Sequence, residues 1–267
     1  MSTSGRAQPT APLTIRYGDD PSQFAELHLP TGVDLAPVVV VIHGGFWLDT
    51  YGIELATPLA ADLARAGHAG YAIEYRRVGN GGGWPQTFDD VAAAIDALAG
   101  PDAPTDRIDL DRVVAVGHSA GGHLATWAAA RPGLPAGAPG AGPAVELIGA
   151  VSQAGVVDLV AGARDGLGGG AVVALMGASP ADQPDRYELA SAFERLPLGV
   201  PVSLVHGRRD DIVPISQSER YADAAGRAGD DVELRVLPDA GHFEVIDPAD
   251  DAWATCRAEI DRLLASR

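Results

Sequence analysis

Apolar and polar positions fall into short blocks whose period changes along the chain. Phe24, Glu26 and His28 alternate with Ala25, Leu27 and Leu29, the period of a strand with one wetter face. Residues 13–17 form a similar short block on the other side of a Gly18-Asp19-Asp20-Pro21 turn. Residues 38–42 are apolar without interruption, which fits a strand covered on both faces of a parallel sheet. Further strand-like runs occupy residues 69–75, 112–116, 145–152, 200–205 and 232–237. Between them lie segments of helical spacing. One covers residues 55–66 and is ended by Gly67, and a second runs to Leu98 behind Thr87 and Asp90, which resemble a capping box. Residues 122–131 stop before Pro132, residues 216–228 give another helix, and a last one spans about 249–265. In that last helix Trp253, Ile260, Leu263 and Leu264 share a face with Cys256, which reads as a packed core thiol.

Strands alternating with helices predict an α/β fold with a mostly parallel sheet and helices on both faces. No internal repeat is visible, and residues 13–267 read as one domain. Residues 154–198 are the longest irregular stretch, broken by glycines at 166 and 168–170, and are expected to form a small lid.

Composition narrows the function. The 267 residues carry a formal net charge of −17, which opposes binding to nucleic acid or to an anionic membrane surface. No apolar run is long enough for a membrane span. Residues 1–12 are polar, contain Pro9 and Pro12 and lack an apolar secretory core, so they predict a disordered tail and a cytoplasmic protein. The single cysteine excludes an intrachain disulfide. No histidine pair has metal-ligand spacing, and the glycine-rich stretch 78–85 lacks a phosphate-loop ending, so neither metal nor cofactor is expected.

The chemistry centres on Gly117-His118-Ser119-Ala120-Gly121-Gly122, between an apolar strand and a helix. Strand, sharp glycine-flanked turn and helix form the setting of a nucleophile elbow, with Ser119 at the tip. A serine hydroxyl needs a base, and the base needs an orienting acid. Both are available in loops that follow strands, as Asp210 or its neighbour Asp211, and as His242. Carboxyl ends of parallel strands converge on one crevice, so these loops can meet Ser119. An oxyanion formed there needs backbone N–H donors. Ala120 at the helix N-terminus and the segment Gly44, Gly45 and Phe46 after the strand at 38–42 are the candidates. Trp47 and His123 are placed to touch a substrate or to pack beneath it. The remaining histidines at strand ends, His43, His118 and His206, read as local hydrogen-bonding groups.

From about residue 24 onward the chain resembles the α/β-hydrolase superfamily. His43-Gly44-Gly45-Phe46-Trp47 together with Gly117-His118-Ser119-Ala120-Gly121 and the His123-Leu124 pair is similar to kynurenine formamidases and neighbouring carboxylesterases. Gln217-Ser218 after the acid loop is also similar, whereas residues 152–159 match that group's Ser-Gly-x-x-Asp-Leu element only loosely. The resemblance implies an α/β-hydrolase fold, a Ser119–Asp210–His242 triad without cofactor, and a small-molecule ester or aryl amide as substrate, N-formylkynurenine among them. It assigns the acid to Asp210, three residues after Gly207 and ahead of Val213-Pro214. Two other readings share the motifs: a peptidase of the dipeptidyl-peptidase-like branch, and a hydrolase-fold binding protein without turnover. Oligomeric state is not readable from the chain.

Overall fold

The structure, a computed structural model, describes residues 11–265. Most of the tail expected over residues 1–12 lies outside that range. Eight strands form one sheet: β1 (Leu13–Arg16), β2 (Phe24–His28), β3 (Ala36–Ile42), β4 (Ala69–Ile73), β5 (Ile108–His118), β6 (Gly149–Gln153), β7 (Val202–Gly207) and β8 (Val232–Leu237). Their order is β1-β2-β4-β3-β5-β6-β7-β8. β1 pairs with β2, and β2 with β4, in antiparallel register, and every later pair is parallel. The helices are α1 (Thr57–Arg65), α2 (Gln86–Asp96), α3 (Ala120–Ala129), α4 (Leu159–Arg164), α5 (Leu167–Met176), α6 (Pro184–Ala190), α7 (Ser216–Ala228) and α8 (Asp251–Ala265).

The continuous apolar run of β3 is explained by its two covered faces. Val38, Val40 and Ile42 join a cluster with Phe88 of α2 and Leu124 and Trp127 of α3. Val39 and Val41 join the opposite cluster with Leu59 and Leu63 of α1 and Trp253, Ile260 and Leu263 of α8. β5 divides in the same way, Val113 and Ala115 to one side, Val114 and Val116 to the other. Period two in a strand thus becomes two apolar layers, each sealed by helices. Cys256 is fully buried in the α8 layer, where burial pushes its thiol up to about 12.

Local expectations are corrected at three places. β5 begins at Ile108, four residues before the run at 112, because Ile108 and Asp109 already pair with Ala36 and Pro37. β6 begins only at Gly149, because the chain ahead of it is held by the Asp96 carboxylate, which accepts from the N–H groups of Ala144 and Val145. Thr87 and Asp90 do not cap a helix. Both lie inside α2, where the Thr87 hydroxyl donates to Arg76 O and Asp90 holds the Arg76 guanidinium through both oxygens, tying the helix to the end of β4.

Residues 154–198 carry α4, α5 and α6. Gly168, Gly169 and Gly170 have φ of 60°, 68° and 93°, so regular helix in α5 resumes only at Ala171. The segment is fastened to the loop before α2 by Trp84 N donating to Leu175 O at 2.7 Å, and to α3 by Trp127 Nε1 donating to Leu189 O at 3.1 Å.

Candidate active site

The carboxyl ends of β3, β5, β7 and β8 lead into the loops that carry the candidate residues. β5 ends at His118, and α3 starts at Ala120, leaving Ser119 as the only residue between them. Its backbone is forced to φ 55° and ψ −116°, a combination an L-residue adopts only when its surroundings impose it. The turn is this tight because α3 lies directly on β3: a methyl group on Gly121 would collide with the Ile42 carbonyl. The Ser119 hydroxyl is buried and has no hydrogen-bond partner. Its neighbour Ala120 opens the helix, where first-turn N–H groups have no intrahelical acceptor.

Asp210 and His242 meet across the loops after β7 and β8. His242 Nδ1 donates to Asp210 Oδ2 at 2.6 Å, which leaves Nε2 as the unprotonated nitrogen. The other carboxylate oxygen, Oδ1, accepts from the N–H groups of Ile212 at 2.9 Å and Val213 at 2.8 Å. Although burial alone would raise its pKa, hydrogen bonds from the histidines and from Val213 hold the Asp210 carboxyl well below the usual carboxylate range. Asp211, the other aspartate of the loop, is exposed and lines a shallow depression of about 400 Å³ beside His242.

His118 is tied to this pair. Its Nε2 donates to the His242 carbonyl at 2.8 Å, and the two rings lie 4.5 Å apart. A second cation there would oppose protonation of His242. Burial, with the charge of His242 as a second cause, drives the His118 pKa down to about 3, so it stays neutral.

The loop after β3 bears directly on Ser119. A Cβ on Gly44 would stand 2.8 Å from His118 O and 3.1 Å from Ser119 Cβ, so only glycine fits against the elbow. Gly45, Phe46 and Trp47 then run through φ values of 110°, 52° and 56°, three consecutive residues in the left-handed region. Leu48 N closes this turn on Gly45 O at 3.0 Å. Behind the loop, His43 stacks on Tyr75 at 4.3 Å, donates from Nδ1 to Gly44 O at 2.8 Å and accepts from the Arg77 guanidinium at Nε2, near Glu74 Oε1, while the Tyr75 hydroxyl donates to His43 O at 2.8 Å. Burial lowers the His43 pKa to about 3, so it works there as a neutral spacer. Strain in the loop is therefore held by a buried polar bracket.

Trp47 and His123 are brought together, but beneath the loop. Both are fully buried and meet edge to face at 5.3 Å. His123 Nε2 donates to Ala190 O of α6 at 2.8 Å, and burial lowers its pKa to about 4. Their placement is that of packing residues. Phe46, only half-buried, is the aromatic ring of this loop that lies against Gly168 of the 154–198 segment.

The strand-end histidines hydrogen-bond as the sequence reading expected, but only His43 does so with its neighbour, whereas His118 reaches across 124 positions and His206 braces the acid loop. His43, His118 and His206 each end or follow a central parallel strand, and each fixes a backbone carbonyl or carboxylate of the site. The recurrence of histidine at three strand ends was the available signal. Among the described residues no cluster of three or more potential metal ligands exists, and no helix is long and apolar enough to cross a membrane.

Known proteins give the arrangement a family. LipM of Mycobacterium tuberculosis, named “probable carboxylic ester hydrolase”, is 31% identical over 195 residues, 70% of this chain and 44% of its own length. The chain thus spans less than half of that curated relative. Among solved structures, a truncated carbohydrate esterase from gut microbiota superposes with a TM-score of 0.84 at 22% identity, covering 97% of this chain and 99% of its own. Esterase Est2 of the planctomycete Thermogutta terrifontis gives a TM-score of 0.76 at 22% identity, covering 96% of this chain and 92% of its own. These likenesses establish the α/β-hydrolase type of fold. The BD-FAE family matches residues 26–224, from β2 through most of α7 and so across the loop after β3, the Ser119 elbow and the Asp210 loop. With that much of the chain matched, the protein belongs to the BD-FAE family.

Proposed function

We propose that the protein is a serine hydrolase that cleaves small carboxylic esters through an acyl-enzyme on Ser119. The observation that carries this reading is the Asp210–His242 hydrogen bond of 2.6 Å, together with an unpaired serine hydroxyl at a strained elbow. The esterases among the relatives and the family match support it.

In this reading Ser119 Oγ attacks the ester carbonyl carbon while His242 Nε2 takes the hydroxyl proton. The carbonyl oxygen becomes an oxyanion, which accepts hydrogen bonds from the N–H of Ala120 and from N–H groups of the Gly44–Gly45–Phe46 turn. Collapse of the intermediate breaks the bond to the alcohol, and His242 returns the proton to the departing oxygen. Water then attacks the acyl-enzyme with the same base and frees the acid. Asp210 keeps the Nδ1–H tautomer and balances the imidazolium as it forms. Phe46 walls the acyl side with Gly168 of the lid behind it, which favours short acyl groups.

A second substrate class is favoured by the paired His43-Gly44-Gly45-Phe46-Trp47 and Gly117-His118-Ser119-Ala120-Gly121 motifs: an aryl formamide such as N-formylkynurenine, cleaved by the same steps through a formyl-enzyme. Purified protein assayed on p-nitrophenyl acetate, butyrate and octanoate beside N-formylkynurenine decides between the two. Highest kcat/KM on the acetyl ester is expected. A fluorophosphonate probe should label wild type and leave Ser119→Ala unlabelled. Labelling that survives in the folded mutant removes Ser119 from the mechanism.

A further inference from the structure

One buried histidine of the acid arm has no part in the steps above. His206, fully buried in β7, places Nε2 2.9 Å from Val213 O and 3.2 Å from Asp210 Oδ2. Both facing atoms are acceptors, so Nε2 carries the ring proton and Nδ1 presents a lone pair. Ser218, on the first turn of α7, supplies the donor for that lone pair at 2.7 Å. With Nδ1 so engaged, the opposite tautomer would set a lone pair against a carboxylate and a carbonyl at once.

The contacts close a ring around the catalytic acid. Val213 N donates to Asp210 Oδ1, Val213 O accepts from His206, and the same His206 N–H lies against Asp210 Oδ2, the oxygen that receives His242. We propose that His206, held in one tautomer by Ser218, is a positioning residue for the reaction: it fixes the Asp210 turn and shares the charge of Oδ2, limiting how strongly that oxygen binds the His242 imidazolium. The inference rests on the Ser119–Asp210–His242 reading given above.

Its physical content is a competition for one oxygen. A carboxylate oxygen that receives a second N–H holds a neighbouring imidazolium less tightly. His242 is then more readily neutral, the form that accepts the serine proton. Three titratable groups share this pocket with His206: Asp210, His242 and, from the end of β5, His118. His118 is kept neutral by burial, with a pKa near about 3, so it contributes no competing charge between pH 5 and 8. Ser218 explains half of the Gln217-Ser218 pair. Gln217 has a separate task, clasping the backbone of Asp158 ahead of α4 through both ends of its amide.

The test compares His206→Leu, His206→Gln and Ser218→Ala with wild type and Ser119→Ala on p-nitrophenyl acetate, with thermal melts for each. His206→Leu should lower kcat about 10- to 100-fold with KM nearly unchanged, the scale of a small misplacement of a catalytic group. The acidic limb of kcat/KM should move up by about half a pH unit or more. His206→Gln, whose amide reaches the same place with an N–H, should recover most of the rate and the limb. Ser218→Ala should lose about threefold or more with the limb displaced in the same direction. Wild-type kcat and an unmoved limb in folded His206→Leu overturn the proposal. So does a rate loss with an unmoved limb that Gln fails to restore, which is what mere destabilisation would give. If His206→Leu does not fold, Ser218→Ala and His206→Gln decide alone, and wild-type behaviour of both is fatal. Ser119→Ala separates the two levels. Activity in that mutant refutes the serine mechanism itself, whereas an inert Ser119→Ala beside unaffected His206 and Ser218 variants refutes this inference only.

Discussion

Asp210, which holds His242, and Ser119, at the elbow after β5, are treated oppositely by the fold. The carboxylate receives two backbone N–H groups on one oxygen and two imidazoles on the other. The serine hydroxyl, also buried, receives nothing. Burying a polar group without a partner costs about 1–3 kcal/mol, so the open valence at Ser119 is a standing cost. The difference fits what the proposed mechanism asks of each group. The acid only has to stay still, and every bond to it reduces its freedom. The nucleophile has to bond to a substrate, and a partner in the resting enzyme would have to be broken first. The same division recurs in the loop after β3, where His43 behind the turn is engaged and the turn itself is left strained.

The largest expected effect breaks the comparison at its reactive side. Ser119→Ala should cut kcat by about 10⁴-fold or more with the fold retained, because the triad acts as a unit. On the braced side, Asp210→Asn should cost about 10⁴-fold by stabilising the wrong imidazole tautomer. Asp211→Asn, a change on an exposed side chain, should cost about tenfold or less. Steady-state kinetics on variants of matched melting temperature decide the matter. A more damaging Asp211→Asn would mean that the 2.6 Å contact is not the working one.

Gly44→Ala tests the loop between the two sides. Its methyl would meet His118 O and Ser119 Cβ at 2.8 and 3.1 Å. The turn must lift away from the elbow, and a displaced oxyanion donor costs about 10²–10³-fold in kcat. A variant within threefold of wild type would show that this turn does not serve the oxyanion.

The buried imidazoles sharpen the comparison through pH. His43 and His118 have pKa values lowered to about 3, and His123 to about 4, all by burial. In the unfolded chain each titrates near about 6.5, so below that pH the unfolded state binds more protons and stability falls as pH drops. Each contributes a slope of up to about 1.4 kcal/mol per pH unit. Asp210 acts with the same sign in a lower pH window. Its depressed pKa gives stability above the ordinary carboxylate range, lost only as pH falls below that range, so it adds nothing to the change between pH 6.5 and 5. Urea unfolding at pH 7, 6 and 5 should show a steep decline, and a flat profile would mean that these imidazoles are hydrated or charged in the native protein.

The smallest effect is reserved for Trp47. Its Nε1 is buried and unpaired, so Trp47→Phe removes a polar group that satisfies nothing. Stability within about 1 kcal/mol of wild type and kcat within a few-fold are expected, whereas Trp47→Ala should cost about 3–5 kcal/mol through the cavity. An acyl-length preference altered by Trp47→Phe would return the residue to the substrate wall.

These contrasts also mark what a sequence can reveal. The buried strands were legible because two covered faces demand an unbroken apolar run, as in Val38 to Ile42. The elbow and the loops around it were legible because tight turns need glycine and chemistry needs serine, histidine and aspartate. What was not legible depends on contacts between distant segments. Thr87 and Asp90 follow the spacing of a cap, yet Arg76 claims Asp90. Nothing local to His206 says that Ser218 and Asp210 will sit on either side of its ring. The path of residues 154–198 is set by carbonyls of Leu175, Leu189 and Ala190, and backbone carbonyls leave no trace in residue identity.

The bond from His118 to the His242 carbonyl joins residues 124 positions apart. It therefore orders events in time as well as in space. Chains emerge from the ribosome N-terminus first. A nascent protein with β1 through β6 complete already holds its serine, yet it lacks the acid, the base and the carbonyl that His118 is waiting to grip. In the proposed mechanism, a growing chain therefore holds Ser119 without its base until β8 is laid down and the loop behind it closes.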